Sequence, residues 1–507
     1  MDDADLALKS IAKGAGFAFA GLLISKLLGY IYRLLAARLG PGDYGNLSIA
    51  LALFNFFGII AVLGLTQGVQ RYVPYYLGKK EEAKADGIVL FSLRTAFVFG
   101  LVIGFLLFLF SDLLAVKFFH EPKLSLLIKL IAFIVPIDVV RNIFINLCKA
   151  HNYIIPEVFA RNLVENFSKI VLTAIFLLLG YGLFGAALGY VLAIVISTLF
   201  SFYFVRKVFS FSSHVKPVYE RKVWLAYSIP LLLNHFLLLV MLWTDTLMLG
   251  FFRGSNEVGV YNAAAPTAQL IYVLPAALLS LFLPVLSGLY SKSEKKAFNS
   301  CYLAVTKWIF IANVFVLLAL GLFSRQILGV LFGKDYIAGG VVLVVLVAGY
   351  FIYHLSLASN NILMIVERTK LVFFVSFVGA VFNVILNYLL IPDYGFLGAG
   401  IATSSSVFVM GVLNFIITTR IIKFSPFNKN YLRILLPVLI TFFALFYARK
   451  FITFNIFYLI IVLGFGFLLY VLLLFLFKVF DKEDIVILKY VEKGFVNKFV
   501  KVVKKFV

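Results

Sequence analysis

The stretch 22–44, LLISKLLGYIYRLLAARLGPGDY, is long enough to cross a bilayer and still carries Lys26, Arg33 and Arg38. About 20 apolar residues of helix span the hydrocarbon core. Lys26 and Arg33 stand seven residues apart, about two turns, so they share a helix face. Cations at membrane depth are costly, and this face is expected to meet a protein interior or a watery cavity. Arg38 sits at the helix end, where it can reach water. The Gly-Pro-Gly-Asp turn that follows stops the helix.

The same character runs through the whole chain. Of its 507 residues 63% are hydrophobic and 13% charged, against about 45–50% apolar in an ordinary soluble domain. This is the composition of an all-α polytopic membrane protein. Apolar runs fall at roughly 12–38, 46–74, 86–111, 124–148, 156–180, 183–205, 223–251, 258–289, 298–323, 338–365, 370–391, 395–421, 431–448 and 452–477, about 14 transmembrane helices. The net charge of +22 is explained by short basic loops and a cationic interior, and nucleic acid is not an expected partner. Basic residues such as Lys9, Lys79, Lys84, Arg206, Lys292, Arg368 and Arg420 fall in alternate loops. That bias places both termini in the cytoplasm of a plasma-membrane protein. Residues 478–507 form a basic amphipathic segment, expected on the inner leaflet. Cys148 and Cys301 lie in apolar surroundings and suggest neither a disulfide framework nor a metal site.

An internal repeat organises the chain. RLLAARLGPGDYG (33–45) is echoed by DTLMLGFFRGSNEVG (245–259), with an offset of 214 at the final glycine. Leu77–Ala83 is echoed by Tyr290–Ala297, and GYGLFGAALG (180–189) by DYGFLGAGIA (393–402). Each copy holds six spans, an even number, so the copies run parallel. Such repeats are common in transporters, with the substrate site between halves and alternating access by rocking. The expected organisation is a six-helix lobe over 1–215, its repeat over 216–425, two additional helices over 426–477 and the tail over 478–507.

Three motifs carry a family resemblance. These are R-x4-R-L-G-P-x-D-Y-G (Arg33 to Gly45), GLTQGVQRY (Gly64 to Tyr72) and YGFLGAG (Tyr394 to Gly400) after Asn387. The chain resembles the polysaccharide exporters and lipid-linked oligosaccharide flippases of the multidrug/oligosaccharidyl-lipid/polysaccharide (MOP) superfamily. That resemblance implies a V-shaped two-lobe transporter. It would flip isoprenoid (di)phosphate-linked oligosaccharide or polysaccharide precursors from the cytoplasmic to the outer leaflet. The bilayer, the lipid-linked glycan and the glycosyltransferases or polymerase of the same pathway are the implied partners.

Such a substrate needs a hydrated cavity, cations for its phosphate and room for its tail. Lys26, Arg33, Arg71, Arg141 and Arg161 are the candidate phosphate-binding residues. Gln67, Asn234, Asp245, Gln269, Lys307 and His354 are candidates for polar cavity or gating roles. Gln67 and Arg71 share a face at four-residue spacing. Glu157, Arg161, Glu165 and Lys169 recur every four residues with alternating sign, which suits either a cavity wall or a self-neutralising ladder. Asp245 holds the place in the second copy that Arg33 holds in the first, so the two are expected to pair when the outer side closes. His354 could titrate, although a lone histidine in an apolar helix is more often simply hydrogen-bonded. No nucleotide loop, metal-ligand spacing or catalytic triad is present, so neither an enzyme nor a cofactor is expected. A multidrug or cation antiporter of the same fold is the alternative, and it calls for an acidic cavity. A membrane-embedded glycan polymerase, the reading from another class, calls for a large outer loop with paired carboxylates.

Overall fold

The computed structural model describes residues 21, 23–209, 216–427, 431–451, 454–480 and 484, with the side chains at 234, 235, 238 and 281 outside that description. Lys9, Lys13, the start of the first span, the Asn234 side chain and the basic tail apart from 478–480 and 484 lie outside the described residues. Among the described residues there is no strand, and each expected apolar run falls on helix. Nine helical runs among them are long and apolar enough to cross a membrane. The chain is an all-α polytopic membrane protein.

The first copy contains α1 (23–36), α2 (Pro41–Val62), α3 (Leu65–Gly78), α4 (Glu82–Leu109), α5 (Lys123–Ala150), α6 (Glu165–Leu178) and α7 (Gly182–Val205). A π-helical segment, Glu157–Val164, leads into α6. Next come α8 (Arg221–Arg253), α9 (Ser255–Ala268), α10 (Val273–Ser291), α11 (Lys295–Leu322), α12 (Ser324–Leu331), α13 (Gly340–Leu355) and α14 (Leu357–Ile365). The chain continues through α15 (Thr369–Ile422), which is broken at Gly395, to α16 (Tyr431–Ala448) and α17 (Ile456–Leu476).

The backbone repeats as the sequence does. Left-handed positions occur at Gly40, Lys80, His120, Asn152 and Gly182, and again at Gly254, Ser293, Gly333, Glu367 and Gly395. The five pairs are 213 to 215 residues apart. The turn before α2 and the turn before α9 have the same backbone, with φ of 90° at Gly40 and 86° at Gly254. Both positions fall to glycine because a side chain is strained there.

Two compact units result, Met1–Asn262 and Ala263–Val507. The sequence repeat restarts near 216, but α8 packs with the first unit along α2 and α3. At its start Glu220 accepts from the Tyr76 hydroxyl at 2.5 Å and meets Lys84 at 2.9 Å, and Trp224 donates to Tyr76 at 3.1 Å. The Tyr76 hydroxyl and then the Lys84 ammonium hold the Glu220 carboxyl below its ordinary range. Farther along, Phe236 packs edge-on to Phe56 of α2.

At the other end of α8, α9 crosses α2 through a reciprocal contact. Gly45 lies on the backbone of Ser255, and Gly259 lies on the backbone of Pro41. Residues 41 and 255 correspond in the repeat, as do 45 and 259. The contact is therefore its own image about a local pseudo-twofold. Glu121 fastens it, accepting from the Ser255 amide at 3.0 Å and from the Ser255 hydroxyl.

In the second unit, Leu279, Phe282 and Leu286 of α10 pack on Tyr302, Val305 and Ile309 of α11 and on Ala358 and Ile362 of α14. α16 and α17 meet through Ile434, Tyr470 and Leu474, against which Val479 also packs. Asp484 is fully buried and receives Lys307 Nζ and Trp308 Nε1, both at 2.6 Å.

A Cβ at Gly45 would fall 1.7 Å from the Ser255 carbonyl oxygen. Gly45→Ala and Gly259→Ala are each expected to destabilise the protein by about 1–3 kcal/mol, read as a lowered melting temperature in detergent. Asp484→Ala strands the buried Lys307 ammonium and should cost about 3–5 kcal/mol. Adding Lys307→Met should recover most of that loss in the same melt.

Candidate functional site

Four charged side chains meet between α5 and α6. Arg141 is fully enclosed and pairs with Asp138 one turn before it and with Glu165 of α6. Lys169 Nζ reaches Glu165 Oε1 at 2.6 Å and sits 4.2 Å above the Tyr190 ring of α7. Asn142 donates to the second oxygen of Asp138 at 2.9 Å, and Ser197 Oγ stands 3.5 Å from Arg141. Two cations and two anions sum to zero. Buried charge is tolerated on that condition; Arg141 Nε is left without a hydrogen-bond partner among the described residues.

The four-residue series of alternating sign is split by the π-helical segment. An i→i+5 turn rotates the residues before it away from those after it. Glu165 and Lys169 keep their i, i+4 pairing, whereas Glu157 pairs with Lys149 at 2.5 Å. Arg161 is exposed and has no ion pair among the described residues.

A cavity of about 240 Å³ opens beside the charge cluster. Gly29, Tyr32 and Arg33 of α1 line it on one side, and Tyr44, Leu47, Ser48, Leu51 and Asn55 of α2 on another. Asn166, Lys169 and Tyr190 form its inner wall, and Trp243 and Asn262 complete it. α1 is seated by Asn166, which donates to Ser25 at 3.0 Å. The Tyr44 hydroxyl donates to the Asn262 carbonyl at 3.2 Å, joining α2 to α9. Arg33 has no ion pair among the described residues, whereas Lys169, the other cation on the wall, is held by Glu165.

The other expected residues are dispersed. Lys26 is exposed on α1. Arg71 lies on α3 away from this cavity, its guanidinium 4.3 Å from the Tyr227 ring centroid. Gln67 accepts from Thr66 at 2.8 Å. Asp245 is buried and accepts from the Tyr261 hydroxyl, and among the described residues it forms no ion pair with Arg33. In the second unit Gln269 is half-buried on the turn Gln269–Tyr272. Lys307 is taken up by Asp484. His354 is buried among the rings of Tyr272, Tyr350 and Tyr353, with ring centroids 5.3 to 5.6 Å away, and its Nδ1 has no partner among the described residues. The aromatic and amide lining of the cavity was missed in the sequence. Tyr32 and Tyr190 look like ordinary residues of apolar helices until packing turns them inward.

Comparison with known proteins is consistent with this architecture. The family described as "Polysaccharide biosynthesis protein" matches residues 11–290, and the MatE family matches residues 230–389. A putative O-antigen transporter of Shigella flexneri is 26% identical over 423 residues, 78% of this chain and 94% of the relative. An uncharacterized membrane protein of Methanocaldococcus jannaschii is 23% identical over 448 residues, 84% and 87% of the two chains. The probable low-salt glycan biosynthesis flippase Agl15 of Haloferax volcanii is 26% identical over 175 residues, 34% of this chain and 36% of the relative. Among solved structures, the lipid II flippase MurJ in an inward closed conformation superposes with a TM-score of 0.73 at 19% identity, covering 91% of this chain and 98% of that one. An inward-facing multidrug resistance MATE transporter of the MOP superfamily gives 0.64 at 19% identity, covering 79% and 94%.

Glu165→Gln removes the shared anion and leaves Arg141 and Lys169 with one carboxylate between them. A loss of about 3–5 kcal/mol is expected, measured by thermal unfolding. Glu165→Gln with Lys169→Met restores a zero sum and should melt closer to the wild type.

Proposed function

The chain belongs to the polysaccharide biosynthesis protein family, and on that premise we propose that it is a flippase for lipid-linked glycans. It carries isoprenoid (di)phosphate-linked oligosaccharide or polysaccharide precursors from the cytoplasmic to the outer leaflet by alternating access. The observation that carries this reading is Arg33, a cation with no ion pair among the described residues, on a cavity wall inside a membrane protein. An uncompensated charge at that depth is costly and marks a ligand path. An anionic phosphate entering beside it offsets the cost. Lys26 and Arg161, both exposed and without ion pairs among the described residues, extend the cationic surface, and Arg71 offers a further cation on α3. Relatives named as an O-antigen transporter and as a glycan biosynthesis flippase support the substrate class.

In this reading the protein sits in the plasma membrane with both termini cytoplasmic, and residues 1–215 and 216–425 act as the two lobes. It moves its substrate without covalent chemistry. The reciprocal contact of Pro41 and Gly45 with Ser255 and Gly259 lies on the outer side and is the closure that must open for release. Backbone packed on backbone can part and reform once Glu121 releases Ser255. With this closure in place Tyr261 holds Asp245.

The MatE match at 230–389 favours the alternative, a cation antiporter of the same fold. Charge weighs against it. Asp138 and Glu165 are neutralised by Arg141 and Lys169, so the cavity presents positive and not negative charge.

Reconstituted liposomes loaded with defined lipid-linked oligosaccharides decide between the readings. Arg33→Ala and Arg71→Ala are each expected to slow flipping about tenfold, the loss of one charge-assisted contact. Wild-type rates in both variants would refute the assignment of these residues. Extrusion of organic cations without glycolipid flipping would establish the antiporter.

A further inference from the structure

We propose that the π-helical segment Glu157–Val164 is a register switch, and that its setting seats or releases α1. Glu157 and Glu165 both reach α5, the first at Lys149 and the second at Arg141. Eight positions separate 157 from 165, whereas two turns of α-helix take about seven residues. The segment therefore holds one residue more than an α-helix needs between those contacts, and the widened i→i+5 turns absorb it.

The sequence encodes a second register. Glu157, Arg161, Glu165 and Lys169 stand four apart with alternating sign, a pattern whose neighbours pair in an α-helix. Closing the turns to α rotates 157–164 by one residue, about 100°, against 165–178. Glu157 then exchanges Lys149 for Arg161. Arg161 is exposed and has no ion pair among the described residues in the present register, and it gains both Glu157 and Glu165 in the other. Lys149 is part-exposed and reaches water once released. Neither register strands a buried charge, which is the condition for two settings of comparable energy.

The first span reads the register. Its row Gly21, Ser25 and Gly29 lies along the row Val158, Asn162 and Asn166. A Cβ at Gly21 would fall 2.6 Å from Val158 Cγ1 and 3.3 Å from Asn162 Nδ2, and Ser25 accepts from Asn166 at 3.0 Å. Asn166 also donates to the Asn162 carbonyl at 2.9 Å, so it serves both the widened turns and the seat of α1. Ser197 of α7 supports the same turns, donating to the Ala160 carbonyl at 2.9 Å. Turning 157–164 by one residue carries Val158 and Asn162 out from under Gly21, and the start of the first span loses its seat. In a cycle of alternating access, one setting holds α1 and the other frees it. The inference rests on the transport reading for that purpose alone. Register and seat exist without transport.

The test uses the full-length protein in proteoliposomes, with Cys148→Ala and Cys301→Ala as background. Gly21→Cys combined with Val158→Cys forms a disulfide only while the first span is seated, and the rate of crosslinking is measured. Arg161→Met removes both pairs that Arg161 makes in the α register and should speed the crosslink about two- to fivefold, the worth of two i, i+4 pairs. A fixed π-helical segment predicts no change, because Arg161 has no ion pair among the described residues to lose. Deleting Phe159 leaves seven positions between Glu157 and Glu165, so the segment closes as α-helix without turning. That variant should melt near the wild-type temperature and crosslink fastest. It should flip lipid-linked glycans at least about tenfold more slowly, because the second register has become inaccessible. The inference is overturned if the cysteine pair does not crosslink, if Arg161→Met crosslinks at the rate of the pair alone, or if the deletion variant folds and flips at the wild-type rate. Should the deletion variant fail to fold, the Arg161→Met comparison decides by itself. A faster crosslink in a protein that flips nothing would sink the transport reading and leave the switch standing. An unchanged crosslink in a protein that flips lipid-linked glycans would do the reverse.

Discussion

Electroneutrality inside the bilayer is the constraint on which the first unit depends. Arg141 could not be fully enclosed unless Asp138 and Glu165 reached it, and Glu165 could not serve two cations unless Lys169 lay one turn beyond it on α6. The register of α5 against α6 follows from that requirement. So does the π-helical segment Glu157–Val164, which brings Glu165 and Lys169 inward while leaving Arg161 exposed. The cavity inherits its charge from the same arithmetic. Once four charges have cancelled, Arg33 remains on the wall to meet whatever enters.

The same constraint governs the second unit with different partners. There Lys307 is buried completely, and its counter-ion is Asp484, a residue of the C-terminal segment and not of a neighbouring span. The first unit thus solves its buried-cation problem within α5 and α6, and the second through a residue 177 positions along the chain. The consequence for transport is a contrast between the two copies. The first keeps Arg33, without an ion pair among the described residues, facing a cavity. The second pairs the one on α11 with Asp484.

Duplication accounts for the rest of the architecture. Paired left-handed positions, from Gly40 and Gly254 to Gly182 and Gly395, show that both copies follow one backbone path despite little side-chain identity. Their symmetry becomes physical where α2 and α9 cross. Each presents a glycine to the first helical residue of the other, so neither helix can be altered there without affecting the contact twice. The family match and the superposition on flippase and antiporter structures are consistent with that duplicated path.

Much of this was legible in the chain itself. The all-α membrane class, the repeat at 213 to 214 residues and the glycine turns follow from hydropathy and local stereochemistry, which act over a few residues and need no partner. The cations worth watching could also be picked out, because a charge in an apolar run is conspicuous. Their roles could not. Arg33 and Arg141 look alike in sequence, yet one faces a cavity and the other is neutralised, and Lys307 is neutralised by a residue far along the chain. Tyr32, Tyr190 and Trp243 carry no local signal of a binding wall. Sequence by itself determined the helices and the charges placed on them. Only the tertiary structure decided which charges cancel, because pairing depends on distances across helices that no periodicity encodes.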